Sequence, residues 1–417
     1  MNKYNYVVLA AGNSSRFGPR NKLLYDLCGK PILSYSLDRT QPETTILIAN
    51  EEVAASHSII KKANKVVIQD QPKGTGDSFQ KALNYIDPDL HTIVLLGDSV
   101  LNTKRSIEKA LRQVGDYDLV FGAFQFDKPN QYGRVIQVAE NKYKVLEYKE
   151  HKAATQYYNA GWICFNKKFI GDLPRIEDIY SELYLTQYIE KASKALIIEV
   201  PYQEALGINS IADYSLVRSL LQQKILEEMF MSGVDVVDPT TVQVAHDTKI
   251  APGARIEQYV VFGKNVKIGA NSIIMPFCKL EDVEIGSDCI VGPFAHIKGN
   301  SQILDQSHIG SFCELNRSIL GNKSKAKHLT YIGDAEIGSN VNIGAGTVFC
   351  NFDGNKKNKT VIKNDAFLGG NSSYVAPVVV EEGGYVGAGT ILRRNVPSQT
   401  LVAAKQQVVI ARKGKNK

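Results

Sequence analysis

Ile250-Ala-Pro-Gly-Ala-Arg-Ile256-Glu-Gln-Tyr-Val-Val-Phe262-Gly-Lys-Asn-Val-Lys-Ile268-Gly-Ala-Asn-Ser-Ile-Ile274 carries a large apolar residue at every sixth position. The series runs on to Leu280, loses one residue, and resumes at Ile285, Val291, Ile297, Ile303, Ile309 and Leu315. Leu368, Tyr374, Val380, Val386 and Leu392 restore the frame further on. An α-helix cannot carry a period of six, and an alternating sheet shows a period of two. One apolar residue per flat face fills the interior of a coil, and three faces per coil give a prism of stacked strands. Glycine follows the aliphatic position in Ile268-Gly269, Ile285-Gly286, Ile309-Gly310 and Ile343-Gly344. We expect it to carry the backbone through the corners. The frame breaks between Leu315 and Ile332, and again at Cys350–Lys359, so chemistry is expected there.

Upstream the grammar differs. Tyr6-Val-Val-Leu-Ala, Thr45-Ile-Leu-Ile-Ala, Lys65-Val-Val-Ile and Thr92-Ile-Val-Leu-Leu read as buried strands, with amphipathic stretches such as Gly76–Tyr85 between them. Alternating strand and helix predicts a parallel, doubly wound, Rossmann-like α/β sheet with ligands at the strand C-termini. From Ser210 to Gly233 apolar doublets recur a little over every four residues, predicting one connecting helix. The expected domains are residues 1–209, a linker helix 210–233, a β-helix 234–402 and a basic tail 403–417.

With 417 residues, 44% of them hydrophobic and 22% charged, the chain suffices for two folded domains. No apolar run approaches the ~18 residues of a membrane span. Nor does the N-terminus look like a signal peptide, so a cytoplasmic enzyme is expected. The net charge of +6 owes four charges to Arg412, Lys413, Lys415 and Lys417. The near-neutral remainder argues against a nucleic-acid surface. Six cysteines without a Cys-x-x-Cys pair predict buried, reduced thiols.

Leu9-Ala10-Ala11-Gly12-Asn-Ser-Ser-Arg16 follows the first strand directly. Such a turn offers backbone N–H groups to phosphate, with Arg16 and Lys22 as charge-assisted donors. Gln69, Gly74 and Thr75 open the second helix, and Gly97-Asp98 ends a buried strand, where a carboxylate suits Mg²⁺. In the C-terminal half, His328 is the histidine in a frame break, and near pH 7 an imidazole can act as general base.

Together with Tyr132-Gly133-Arg134, Glu147, Asn159-Ala-Gly161, Gly207-Ile-Asn209 and His328-Leu-Thr-Tyr-Ile-Gly-Asp-Ala-Glu-Ile-Gly, these motifs resemble the bacterial N-acetylglucosamine-1-phosphate uridylyltransferase/glucosamine-1-phosphate acetyltransferase family. They occur in that family's order from residue 9 to about 397. The resemblance implies a left-handed β-helix and a homotrimer, with UTP, acetyl-CoA and Mg²⁺ as co-substrates and cofactor. It implies that Gln69, Gly74 and Thr75 hold uracil and nucleotide, that Asp98 and Asn209 bind Mg²⁺, and that Lys22 meets the phosphates. Gly133, Glu147 and Asn159 would line the sugar. His328 would be the base, Lys298, Asn316, Tyr331 and Asn342 would bind the acceptor, and Ala345, Asn351, Phe352, Gly370, Ala388 and Lys405 would bind acetyl-CoA.

Five positions depart from the family pattern. Phe352, Gly370 and Lys405 replace tyrosine, serine and arginine. Lys298 replaces arginine and loses its bidentate fork, and Asn316 replaces lysine and loses the charge. Arg317 next door could substitute for that charge, although consecutive residues on a strand face opposite ways. These departures leave two other readings of the C-terminal half: a trimerisation scaffold, or the same reactions on another amino sugar.

Overall fold

The computed structural model describes residues 3–12, 14, 17, 18, 20–127, 132–147, 155–178 and 182–405. Arg16 and the tail beyond Lys405 lie outside them. The chain divides into two compact units, 1–221 and 222–417. The division falls inside a single helix, Ile211–Met231.

The first unit is built on a nine-stranded sheet: β1 (Asn5–Ala10), β2 (Thr45–Ala49), β3 (Lys65–Ile68), β4 (Thr92–Leu96), β5 (Leu119–Gln125), β6 (Arg134–Ala139), β7 (Lys142–Leu146), β8 (Tyr157–Phe165) and β9 (Ala195–Glu199). Its order is β9-β5-β8-β4-β1-β2-β3, with the β6–β7 hairpin attached to β8. Alternate residues feed two cores, Val7, Ile46 and Val94 on one face and Tyr6, Ile93 and Leu95 on the other. This is the two-sided burial of a wound α/β sheet.

Two expectations need correction. The sheet is mixed, because β8 runs antiparallel to both β4 and β5. And β3 is an edge strand rather than a buried one, with Ile68 56% exposed. Lys65 and Ile68 face solvent there, and a charged end is a usual way to blunt an edge.

The second unit is a parallel β-helix. Up to its last coil each strand pairs in register with the third strand after it, as Ile256 with Ile274, Ile274 with Val291 and Val291 with Ile309. Three parallel sheets of ten, nine and eight short strands result. The six-spaced residues from Ile256 to Leu315 and from Leu368 to Leu392 are all buried and form one continuous core.

The frame does not break between Leu315 and Ile332. Leu320 and Ala326 are fully buried and continue the series, with one residue dropped and a methyl group standing at one position. Only the second break is a departure from the coil, where an antiparallel bridge joins Phe352 to Lys357.

The glycines also serve a different purpose from the expected one. Gly269 does not have a positive φ; instead its missing Cβ would lie 2.6 Å from the Gly286 oxygen of the next coil. The corners are turned in the left-handed region, mostly by non-glycine residues, of which Asn and Asp tolerate it best, with Gly253, Gly346, Gly383 and Gly389 also at positive φ. One corner column reads Asn271, Asp288, Gln306, Lys323, Asn340, Asp365; the second reads Asn265, Asp282, Asn300, Arg317, Asp334. The third reads Tyr259, Phe277, Phe294, Phe312, Leu329. Its four rings stack at 4.9–5.0 Å, half exposed, and the column arrives at Leu329 beside His328.

Candidate functional site

In the first unit three distant segments converge. Gly97 donates its backbone N–H to Leu9 O at 2.9 Å, so the loop after β4 lies against the end of β1. A Cβ at Gly97 would sit 3.0 Å from both Leu9 O and Leu33 Cδ1, which favours glycine before Asp98. Lys22 Nζ donates to Asp98 Oδ2 at 2.6 Å and to Asn209 Oδ1 at 2.9 Å. Asn209 is positioned by a capping box. Ser210 Oγ accepts from Asp213 N at 3.2 Å, while Asp213 Oδ2 accepts from Ser210 N at 2.8 Å and from Asn209 N at 3.0 Å.

Around that point the loop after β1 is held by its carbonyl. Gly12 O accepts from Asn21 Nδ2 at 3.1 Å and from Asn50 Nδ2 at 3.2 Å. Leu9, Ala10 and Ala11 are buried, and Gly12 is exposed with open space around it.

Gln69 is buried, with its amide clamped by the first turn of helix Thr75–Ala82. Nε2 donates to Asp77 Oδ2 at 2.7 Å, and Oε1 accepts from Ser78 Oγ at 2.8 Å. Gly74 caps that helix at φ +104°, where a Cβ would overlap the Leu183 carbonyl. Thr75 Oγ1 accepts from Leu185 N at 3.0 Å.

Gly133, Glu147 and Asn159 form a second group. Asn159 N donates to Gly133 O at 2.9 Å, and a Cβ on Gly133 would lie 3.5 Å from Glu147 Oε2. Glu147 Oε1 accepts from Thr186 Oγ1 at 2.5 Å. Asp77, Ser78 and Thr186 were not anticipated. The Gly-Thr-Gly-Asp-Ser run was a usable signal for the first two; nothing local marks Thr186.

In the β-helix, His328 ends strand Lys325–His328, pairs with Ser311 on the preceding coil, and is exposed. Its carbonyl accepts from Thr330 Oγ1 at 2.8 Å. Lys298, Asn316 and Gly333 pair across three successive coils, and Glu314 with Tyr331 alongside. Lys298 Nζ is 2.9 Å from Glu314 Oε1.

Arg317 does not face away from Asn316. It lies one residue past the end of strand Glu314–Asn316, at φ +53°, where alternation no longer applies. Its Nη1 donates to Asn316 Oδ1 at 2.8 Å, while Nε and Nη2 grip Asp334 at 2.6 and 2.9 Å. Asn351 Nδ2 also donates to Asp334. The Arg317 bond, supported by Asn351, holds the Asp334 carboxyl below its ordinary pKa.

Asn342 pairs with Lys325, three residues before His328. Gly344, Gly369 and Gly387 follow one another on successive coils, and Ala345, Gly370 and Ala388 come next to them. Gly370 lies against Ala345, where a Cβ would be 3.1 Å from Ala345 O, and its carbonyl accepts from Gly389 N at 2.9 Å. Ala345, Ala388, Phe352 and Lys405 are exposed.

Cys164, Cys278, Cys289 and Cys313 are buried free thiols, as expected; Cys28 and Cys350 are only partly so. Burial pushes the Cys278 thiol up to about 11. No helix among the described residues is long and apolar enough to cross a membrane.

Comparison with known proteins covers both units. Residues 6–163 match the MobA-like NTP transferase domain. Residues 282–317 match the bacterial transferase hexapeptide (six repeats), and residues 259–292 and 359–394 match the hexapeptide repeat of succinyl-transferase. These repeats accord with a left-handed β-helix. A protein named Bifunctional protein GlmU from Paraburkholderia xenovorans is 32% identical over 95% of both chains. Its namesake from Geobacillus sp. is 33% identical over 97% of this chain and 95% of that one. The one from Cupriavidus pinatubonensis is 32% identical over 98% of each.

Proposed function

The chain belongs to the family of bifunctional GlmU proteins, and on that premise we propose that it makes UDP-N-acetylglucosamine in two reactions. The β-helix acetylates glucosamine 1-phosphate with acetyl-CoA. The α/β unit then joins UMP from UTP to N-acetylglucosamine 1-phosphate, releasing pyrophosphate. The observation that carries the reading is the convergence of Lys22, Asp98 and Asn209, from three separate motifs, on one point.

Uridylyl transfer needs no protein nucleophile. The sugar-phosphate oxygen attacks the α-phosphorus, the bond to pyrophosphate breaks, and the protein supplies position and charge. Asp98 and Asn209 offer two hard oxygens already sharing one cation, a donor set that fits Mg²⁺ completed by phosphates and water. They would hold the ion, and Lys22 would pass to the triphosphate. When bound, Mg²⁺ offsets phosphate charge. Gln69, Gly74 and Thr75 hold the nucleotide; the Gln69 amide is fixed in orientation by Asp77 and Ser78 and keeps one N–H and one lone pair for a uracil edge. Gly133, Glu147 and Asn159 line the sugar.

In the second reaction His328 takes the proton of the amine as its nitrogen attacks the thioester carbonyl, and the CoA thiolate leaves. Tyr331, Asn342, Lys298 and Asn316 bind the acceptor. Ala345, Gly370 and Ala388 line a shallow path for acetyl-CoA, with Asn351, Phe352 and Lys405 beside it. The protein works as a cytoplasmic homotrimer through the β-helix.

Mass spectrometry after incubation with UTP, acetyl-CoA, glucosamine 1-phosphate and Mg²⁺ tests the reading. UDP-N-acetylglucosamine is the expected product. EDTA is expected to stop uridylyl transfer and leave acetyl transfer near its starting rate. Absence of any acetylated product would leave the β-helix as a scaffold.

A further inference from the structure

The acceptor site as read above has lost a cation at residue 316. The coil geometry supplies one from the next residue. In the same corner column Asn265, Asp282, Asn300 and Asp334 are short and stay local, and Arg317 is the one long cation. Gly299 makes room for it. A Cβ there would lie 2.5 Å from Asn316 Oδ1 and 3.0 Å from Arg317 Cγ. On the following coil Gly333 pairs with Asn316, and a Cβ there would lie 2.5 Å from Tyr331 OH. The Asn316 side chain is thus flanked by two glycines, with the guanidinium drawn in to its amide oxygen.

The guanidinium is aimed as well as near. Asp334 engages Nε and Nη2 as a fork, and Asn316 takes one Nη1 hydrogen. A guanidinium has five N–H groups. Three are engaged by these bonds, leaving one on Nη1 and one on Nη2. A pair of N–H groups on adjacent nitrogens matches two oxygens of a phosphate. Lys298, one coil back in register with Asn316, is a second cation there, itself paired with Glu314 at 2.9 Å.

We propose that Arg317, aimed by Asp334 and Asn316, is the residue that selects a phosphorylated amino sugar in this chain, taking over the cationic role at position 316. This rests on the acetyltransferase reading above. Asp334 and Asn316 are positioning residues; Arg317 meets the substrate.

The test compares glucosamine 1-phosphate with glucosamine as acetyl acceptors for wild type, Arg317→Ala, Arg317→Lys, Arg317→Ser and the double variant Asn316→Lys/Arg317→Ser. Arg317→Ala is expected to raise KM for glucosamine 1-phosphate roughly ten- to a hundredfold, the size of one charge-assisted phosphate contact. The kcat/KM preference for the phosphorylated acceptor should fall by the same factor, with KM for acetyl-CoA within about twofold of wild type. Arg317→Lys keeps charge without the fork and should fall between. The double variant moves the charge back one residue and should recover most of the preference, even if Arg317→Ala folds poorly. An unchanged preference in folded Arg317→Ala or in the double variant's Arg317→Ser parent overturns the inference, and so does an equal loss on both acceptors, which would mark a brace for Asp334. Wild type that acetylates neither acceptor removes the acetyltransferase reading itself, and this inference with it.

Discussion

In the α/β unit, the hydrogen bonds that gather the site run from Lys22 to residues 76 and 187 positions away. In the β-helix, those from Arg317 and Asn351 to Asp334 each span 17, the length of one coil. The first site therefore exists only when strand order, the loop after β4 and the cap of helix Ile211–Met231 are all in place. The second is made by translation, because any two positions one coil apart are neighbours wherever they stand. A single-site change should travel through the whole first unit, whereas in the second it should be felt by adjacent coils alone.

The largest effects should come from separating the two chemistries. Asp98→Asn removes the carboxylate charge from the convergence point and should lower uridylyl transfer by about 10²–10³-fold, comparable to losing one electrostatic partner of a transition state. Acetyl transfer should stay intact. His328→Ala should do the reverse, with a loss of about 10²–10⁴-fold in acetyl transfer, the usual yield of a general base. Coupled product assays on folded protein read both. Either variant losing both reactions would mean that the two sites are not independent.

A smaller but more structural contrast comes from Gly74. Its φ of +104° and the Leu183 carbonyl leave no place for a methyl group, and the loop ends at the residues that clamp Gln69. Gly74→Ala should cost the first unit about 2–3 kcal/mol, through strain and a forced shift. The KM for UTP should rise while acetyl transfer holds. Calorimetry resolving one lowered transition supports units that melt separately; a single lowered transition with loss of both activities would show one cooperative body.

The difference between the units also explains what could be read beforehand. Period six is written in single residues, so the prism and most of its core were legible. The supposed break after Leu315 was not real, because Ala326 fills the interior position without looking large enough to do so. Strand runs were found in the α/β unit, but an apolar run carries no sign of its neighbours. The edge position of Lys65–Ile68 and the reversed direction of Tyr157–Phe165 were therefore hidden. Motifs located Asp98 and Asn209, while Thr186, which bonds Glu147 across 39 residues, has no local signature. Arg317 was legible as a neighbouring cation that could substitute, but its direction was not. Alternation holds to Asn316, where the strand ends, and the left-handed corner redirects the next side chain.

The corner columns allow the finest version of the comparison. All three use the left-handed region, which costs an ordinary L-residue roughly 1–2 kcal/mol and Asn or Asp less. From Tyr259 to Asp334 two columns answer with polar residues, while the third answers with four rings, each half exposed, before Leu329. An offset or parallel ring pair adds about 0.5–1.5 kcal/mol beyond its burial, with the lower end appropriate at a wet surface. Phe294 has two ring neighbours, Phe277 and Phe312. Replacing it with Asn therefore loses about 1 kcal/mol of stacking and about 1 kcal/mol of half-burial and regains about 1 kcal/mol in backbone conformation, so Phe294→Asn should lower stability by no more than about 1 kcal/mol. The reverse exchange has no such balance. Asn271→Phe places a lone ring in the same conformation and removes the bond from Asn271 Nδ2 to Asp288 Oδ1. It should lose about 1 kcal/mol or more, a shift of roughly 2–4 °C in Tm. Thermal unfolding of both variants decides the matter. If Phe294→Asn drops Tm further than Asn271→Phe, the rings are held together by more than their stacking, and the polar and aromatic corners are not equivalent solutions to one backbone demand.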